Sequence, residues 1–373
     1  MIENPETVIA EVCFSPSWGG LEHYCADSAA RLASRGHRVV PFVRAGSPLE
    51  DRLVETGFSP VTCRPSSYFS PITTLKLARR FRARSVGAVH LHRTQDLGVV
   101  LPSAALAGVK IRVLTLQMES SRRKRDLYHR WVYGGLTRVL TITGRMRQLV
   151  TDNVAVDPDK VRCLYYGIDG EGLRAEAAAR DEIRSRWKVP SDAFVVGIVG
   201  RLEPMKGQET VLGAAALLQH RIPKLVVMIV GDETVGKVGE MDRLKRLAAQ
   251  TLTDARVVFT GYRHPPGSIV PAFDVSALAT RKETFGLVIL EAQALGVPVV
   301  ASAAGGVPEI IEDGVNGRLV KPGDAEALAE AIEELYRSPE LRRSIGEAGM
   351  RNVGERFSLK AQIEGLERAL RGE

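Results

Sequence analysis

Two cations and two acids in the second half of the chain have the types and spacing to hold a diphosphate and a sugar. Arg201 and Lys206 lie five apart around a proline turn in Gly197-Ile198-Val199-Gly200-Arg201-Leu202-Glu203-Pro204-Met205-Lys206-Gly207, at the end of a strand-like run. Two such cations beside exposed backbone amides form a clamp for a diphosphate; two surface cations in a loop are the plainer alternative. Glu283 and Glu291 stand eight apart in Glu283-Thr284-Phe285-Gly286-Leu287-Val288-Ile289-Leu290-Glu291. On a helix that spacing puts both near one face, about 12 Å apart. Phe285, Gly286 and Leu287 would form the first turn and offer free N–H groups to a phosphate. Glu283 would accept hydrogen bonds from sugar hydroxyls, and Glu291 from both hydroxyls of a ribose. One acid favoured by the helix dipole and one surface acid would give the same spacing.

Other features are less specific. Gly19 and Gly20, in Ser15-Pro16-Ser17-Trp18-Gly19-Gly20-Leu21-Glu22, stand between a strand and a helix, where backbone N–H groups can approach an anion. The same pair could serve the turn alone. Gly231-Asp232-Glu233-Thr234-Val235-Gly236-Lys237-Val238 nearly matches a phosphate-binding loop. Val238 has no hydroxyl for magnesium, and Asp232 and Glu233 would repel phosphates, so no such loop is expected. Asp157-Pro158-Asp159 has the form of an Asp-x-Asp metal pair but reads as a turn initiator before a strand. No metal is expected to be required.

The elements that must position these residues alternate along nearly the whole chain. Thr7–Phe14, Arg38–Val43, Ala88–His92 and Ile111–Leu116 read as strands in the first half, with amphipathic stretches such as Gly20–Ser34 and Ile72–Ser85 between them. Phe194–Val199, Leu225–Val230, Arg256–Thr260, Val275–Ala279 and Pro298–Ala301 repeat the arrangement. Strand and helix in alternation predict an α/β protein with two doubly wound parallel sheets of five or so strands each. The seam is expected near residues 168–190, where a helix over Glu171–Trp187 ends at Val189-Pro190. Ligands of open α/β sheets bind beyond the carboxyl ends of strands, where the candidate loops lie.

Length and composition fit two soluble globular domains: 373 residues, 45% hydrophobic, 25% charged, 35 Gly and 19 Pro. The longest apolar run, Leu225–Val230, is far short of the ~20 residues a membrane-spanning helix needs. Acids stand in the first residues where a signal peptide has its basic region. Cys13, Cys25, Cys63 and Cys163 form no C-x-x-C pair, which argues against a zinc site or disulfide framework and for a reducing cytoplasm. Residues 1–186 carry 28 Lys+Arg against 19 Asp+Glu, and the remainder 23 against 25. The positive excess therefore lies in the first half, densest at Arg122-Arg123-Lys124-Arg125. With 6% aromatic residues and no nucleic-acid module, an anionic substrate or membrane surface is the expected partner, not nucleic acid. A solvated loop or helix start would carry the same run.

The pattern Glu283-x-Phe285-Gly286-x-x-x-x-Glu291, with the upstream Gly200-Arg201-Leu202-x-Pro204-x-Lys206-Gly207, resembles glycosyltransferase family 4, whose members have the two-domain GT-B fold. Val230-Gly231-Asp232, Phe259-Thr260-Gly261, Gly305-Gly306-Val307-Pro308-Glu309 and Gly314-Val315-Asn316-Gly317 extend the likeness, which is strong over about 160–335. In the first half it rests on Gly19-Gly20-Leu21-Glu22 and Tyr165-Tyr166-Gly167-Ile168-Asp169. The resemblance implies two Rossmann-like domains facing across a cleft: an acceptor-side domain over 1–170 with the helix of 357–373 packing back on it, and a donor domain over 171–356. It implies retaining transfer of a sugar from a nucleotide diphosphate donor, UDP- or GDP-linked, with no added cofactor. By that likeness Arg201 and Lys206 neutralise the leaving diphosphate, Glu283 binds the donor sugar and Glu291 the ribose. Amides near Gly19, Gly20, Phe285, Gly286 and Leu287 serve the phosphates and sugar, and Arg263 borders the nucleobase. Ser121–Tyr133 resembles members that build surface polysaccharide or lipopolysaccharide. A saccharide or lipid-linked acceptor and a cytoplasmic site, peripheral on the inner face of the plasma membrane, are expected on that basis.

One position departs from the family's pattern. Many members carry histidine after the strand that here reads Val113-Leu114-Thr115-Leu116-Gln117. Gln117 can donate a hydrogen bond but cannot take a proton. His92, after the preceding strand, is the nearest substitute, with Asp96 beside it; a packed structural histidine is the alternative. His90 is expected on the opposite strand face. A sugar-nucleotide epimerase and a non-catalytic nucleotide-binding protein are the rival functions.

Overall fold

The computed structural model describes residues 8–64, 70–119, 122–233 and 239–373. The chain divides into two units, Met1–Tyr165 with Lys360–Glu373, and Tyr166–Leu359. The first unit is built on β1 (Val8–Cys13), β2 (Arg38–Arg44), β3 (Val61–Cys63), β4 (Val86–Leu91), β5 (Ile111–Leu116), β6 (Arg138–Thr141) and β7 (Val161–Cys163). They form one sheet in the order β3-β2-β1-β4-β5-β6-β7, every neighbouring pair parallel. The second unit has β8 (Phe194–Val199), β9 (Leu225–Val230), β10 (Arg256–Gly261), β11 (Val275–Leu278), β12 (Val299–Ser302) and β13 (Arg318–Val320) in the order β10-β9-β8-β11-β12-β13, again all parallel. The sheets thus have seven and six strands where about five each were expected.

Helices cover both faces of each sheet, so central strands carry continuous apolar runs. All six residues of β1 and of β9 are buried. Because sheet growth reverses direction between β1 and β4, and between β8 and β11, each unit has one switch point where the loops after those strands diverge and leave a crevice.

Three expectations are corrected. The helix over Glu171–Trp187 is two helices, Gly170–Ala175 and Arg180–Arg186; the Ala178 N–H is drawn out of helical bonding to the Gly267 carbonyl. The division falls at Tyr165/Tyr166 and Leu359/Lys360 instead of 170/171 and 356/357. Ile168 and Ser358 bridge in parallel, and a Cβ on Gly167 would stand 2.3 Å from the Ser358 carbonyl oxygen, so both segments belong to the second unit. Third, His90 shares a strand face with His92, as period-two alternation requires for residues two apart.

The C-terminal helix, Leu359–Arg371, completes the first unit. Leu366, Ala369 and Leu370 pack with Ile9, Ala88, Val113 and Leu140 from the sheet. Glu367 accepts from Arg35 Nε (2.7 Å) and Nη2 (2.9 Å) and lies 2.9 Å from His37 Nε2. Leu366→Ala is expected to destabilise the first unit by about 2–5 kcal/mol, read as a lower urea midpoint. An unchanged midpoint would make these contacts dispensable.

Candidate active site

The second unit's switch point collects the principal residues singled out from the sequence. Arg201 and Lys206 lie on the loop after β8, and Glu283 lies on the loop after β11. Lys206 Nζ donates to Glu283 Oε2 at 2.9 Å, and the Thr284 N–H donates to Glu283 Oε1 at 3.1 Å. Arg201 extends into solvent, 63% exposed, with Glu203 at 3.2 Å. Close backbone packing holds these loops. Gly207 takes φ +81°, and a Cβ there would stand 2.0 Å from the Ala279 carbonyl oxygen. Gly305, at φ +57°, leaves room for the Glu283 carbonyl, which a Cβ would meet at 1.6 Å. Thr280 Oγ1 donates to the Met205 and Lys282 carbonyls and ties the two loops together. A cation, a carboxylate and a second exposed cation at one crevice can bind an anion and a polyhydroxyl group side by side.

The helix begins later than the sequence suggested. It spans Leu287–Ala294, with Gly286 (φ 103°) as N-cap and no capping side chain. Glu283 is therefore a loop residue, and its spacing from Glu291 is not a helical one. The Phe285 side chain is core, 2% exposed, with its ring edge-on to Tyr166 (5.2 Å) and Phe357 (6.1 Å). Only its backbone is left to meet a ligand, whereas Leu287 starts the helix with N–H groups that have no intrahelical acceptor. Glu291 is partly buried, and its carboxylate has no ion-pair or hydrogen-bond partner among the described residues. Burial pushes that carboxyl up to about 7.

Arg263 follows β10, the edge strand two removed from the switch point, and its guanidinium lies over the Trp187 ring at 5.0 Å. Of the near-match to a phosphate loop, Thr234–Val238 lie outside the described residues, and Glu233 accepts from Gly239 and Met241 N–H at the next helix start. Asp157 accepts from the Asp159 N–H at 3.0 Å and caps a single turn.

In the first unit Gly19 is the N-cap of the helix Gly20–Ser34, with extended backbone and no side-chain cap. A Cβ on Gly20 would meet nothing within 4 Å, and one on Gly19 would make only an ordinary contact with Glu22. The turn itself therefore does not require glycine at either position.

His92 and Gln117, at the ends of β4 and β5, line one cavity of about 290 Å³ with Leu116, Glu119, Lys124 and Tyr133. His92 Nε2 lies 2.5 Å from Glu11 Oε2. Asp96, expected beside it, instead accepts from the Phe14 N–H (2.9 Å) and Arg93 (3.3 Å), and burial raises its carboxyl to about 6. Glu11 was missed in the sequence, although an acid inside the apolar strand Val8–Cys13 is itself a signal that something buried must pair with it.

A family model described as glycosyl transferases group 1 matches residues 179–352, and one described as Glycosyltransferase Family 4 matches residues 18–171. The chain is 28% identical over 384 residues to the D-inositol 3-phosphate glycosyltransferase of Saccharomonospora viridis, covering 93% of this chain and 88% of that protein. It is 31% identical over 290 residues to the protein of the same name from Frankia alni, covering 76% and 70%. In fold it matches a glycosyltransferase from Rickettsia africae, with a TM-score of 0.86 at 20% identity over 98% of both chains. It also matches Anabaena HepE in complex with UDP and glucose, with a TM-score of 0.78 at 22% identity over 98% and 99% of the two chains.

Proposed function

The chain belongs to glycosyltransferase family 4, has the GT-B fold and is a glycosyltransferase, and on that premise we propose that it moves a sugar from a UDP-linked donor to a phosphorylated polyol with retention of configuration. The observation that carries this reading is the Lys206–Glu283 pair beside exposed Arg201 at the second unit's switch point. Departure of a nucleoside diphosphate leaves negative charge on the β-phosphate, which Arg201, Lys206 and the helix start at Gly286 and Leu287 would stabilise. Glu283 would hold the sugar hydroxyls and Glu291 the ribose. The acceptor oxygen bonds to the anomeric carbon as the bond to phosphate breaks, and its proton passes to the leaving phosphate, so no protein nucleophile and no added cofactor are needed. Two side-chain cations supply the charge that a metal would otherwise bring.

UDP is favoured because Anabaena HepE, of the same fold, binds it. The acceptor follows the names of the curated relatives, D-inositol 3-phosphate glycosyltransferases, and suits the positive first half. A surface saccharide, expected from Ser121–Tyr133, is the other arm of the test. Incubation with UDP-, GDP- and ADP-sugars, with and without inositol phosphate, should release UDP fastest when the phosphate is present. If no donor is hydrolysed or bound, the proposal fails. Gly20→Ala is expected to leave stability within about 1 kcal/mol and to lower turnover at least tenfold, since the turn does not need the glycine; full turnover would make Gly20 incidental.

A second reading concerns location. Arg122, Arg123 and Arg125 are exposed, and Leu127 and Trp131 on the following helix are 82% and 52% exposed, whereas Ser121 lies outside the described residues. Cations beside exposed apolar side chains suit an anionic bilayer surface. Among the described residues no helix is long and apolar enough to cross a membrane. Sedimentation with phosphatidylserine vesicles should fall as salt rises and on replacing the three arginines with serine. Equal sedimentation of the variant would remove this reading.

A further inference from the structure

We propose that Glu11 is a positioning residue for the transfer: it fixes His92 in the Nε2–H tautomer and so presents a bare Nδ1 to a ligand hydroxyl in the first unit's cavity. The inference rests on the transferase reading and adds a residue to it.

Glu11 is fully buried in β1, where it pairs with His90 on β4. Its Oε1 accepts from Ser28 Oγ at 3.0 Å and lies 3.0 Å from His90 Nδ1; its Oε2 lies 2.5 Å from His92 Nε2. Burial alone would raise this carboxyl, but the two imidazoles outweigh burial and hold it at about 2. An ionised carboxylate only accepts, so each ring nitrogen facing it carries the proton.

The consequence differs for the two rings. His90 has Nδ1–H on Glu11, and its Nε2 lies 2.7 Å from Thr115 Oγ1, so both of its ring nitrogens have partners. His92 has Nε2–H on Glu11, and its Nδ1 is buried with no partner among the described residues. Burial, then the neighbouring His90, lowers the His92 pKa, so the ring stays neutral and Nδ1 remains an acceptor.

An unpaired buried polar atom costs about 1–3 kcal/mol, and such atoms also occur elsewhere among the described residues, as at Thr74 Oγ1 and Ser302 Oγ. Here there are two. Gln117 Nε2, a donor, is also buried without a partner, and Gln117 and His92 line the same cavity. A hydroxyl group donates and accepts at once, as water does, so a ligand hydroxyl that takes the place of a water can serve either atom. A polyol ligand is the chemistry assigned to this cavity on that ground.

The test uses the full chain labelled with ¹⁵N-histidine, with the His92 signal identified by its loss in His92→Asn. Long-range proton–nitrogen spectra at neutral pH should give a neutral His92 with the proton on Nε2. A proton on Nδ1, an imidazolium, or a metal ion held on Nε2 by Glu11, Cys25 and His92, which lie within ligating reach of one another, would overturn the proposal. In Glu11→Gln the amide oxygen is expected to stay with its two donors, Ser28 and His90, and to turn its NH₂ to His92. The His92 proton should then move to Nδ1, and the KM for inositol phosphate should rise at least tenfold with UDP affinity within twofold. A His92 proton that remains on Nε2, or an unchanged KM, would overturn the proposal. If Glu11→Gln does not fold, the wild-type tautomer decides the matter alone. Because the tautomer is read without substrate, its failure is distinct from failure of the transferase reading, which is absence of UDP release with any donor.

Discussion

Replacing Lys206 with alanine is expected to lower kcat/KM for transfer by about 10²–10³-fold, the size of effect seen when one preorganised stabiliser of developing negative charge is removed. Lys206 is the buried-side cation of the site: its ammonium is held by Glu283 and is less exposed than the guanidinium of Arg201. Its charge is therefore screened less by water and salt when a phosphate arrives. Arg201→Ala should cost less, because that side chain must order itself on binding. Folding should be little affected by either change, since a single ion pair near the surface contributes at most about 1 kcal/mol. Steady-state transfer and thermal melting on the two variants check the ranking. A Lys206→Ala protein with near-normal turnover would place the leaving diphosphate elsewhere.

Glu291→Gln should separate stability from function. Because burial raises the folded carboxyl from 4.5 to about 7, the folded state binds a proton that the unfolded state has already released between those values. Stability therefore falls as pH rises from about 4.5 through 7, and the full penalty, on the order of 3 kcal/mol at most, is present above pH 7. Glutamine removes the charge, so the variant should melt higher than the parent at pH 8 and close to it at pH 4.5. UDP affinity should move the other way. The parent should lose affinity as pH falls through about 7 and the carboxylate protonates, whereas the variant should bind weakly, at least tenfold down, and without that pH dependence. A variant that is no more stable at pH 8, or that binds UDP as the parent does, would remove Glu291 from the ribose contact.

The parts legible in the sequence were those with long local signals. Phe194–Val199 and Leu225–Val230 are strands at the bounds read from their apolar runs, because strands covered on both faces need no partner to be recognised. Val61–Cys63, Val161–Cys163 and Arg318–Val320 are three residues each, too short for any period, and exist because a neighbouring strand offers its edge. Likewise Arg201, Lys206 and Glu283 could be named from motif and loop position, but their meeting could not, since Lys206 and Glu283 are 77 residues apart. The Glu283–Glu291 spacing misled because Gly286, in the left-handed region, starts the helix after Glu283 has passed. Glu11 stayed hidden for a related reason: its histidines lie 79 and 81 residues away, on a strand that becomes its neighbour only when the sheet forms.

The central claim is that a nucleoside diphosphate is held at the switch point of the second unit. Calorimetric titration of UDP into the parent chain, Lys206→Ala and His92→Ala tests it most directly. Binding to the parent is expected, at least tenfold weaker in Lys206→Ala and unchanged within twofold in His92→Ala, whose cavity belongs to the first unit. No binding to the parent, or equal affinity for parent and Lys206→Ala, would contradict the account.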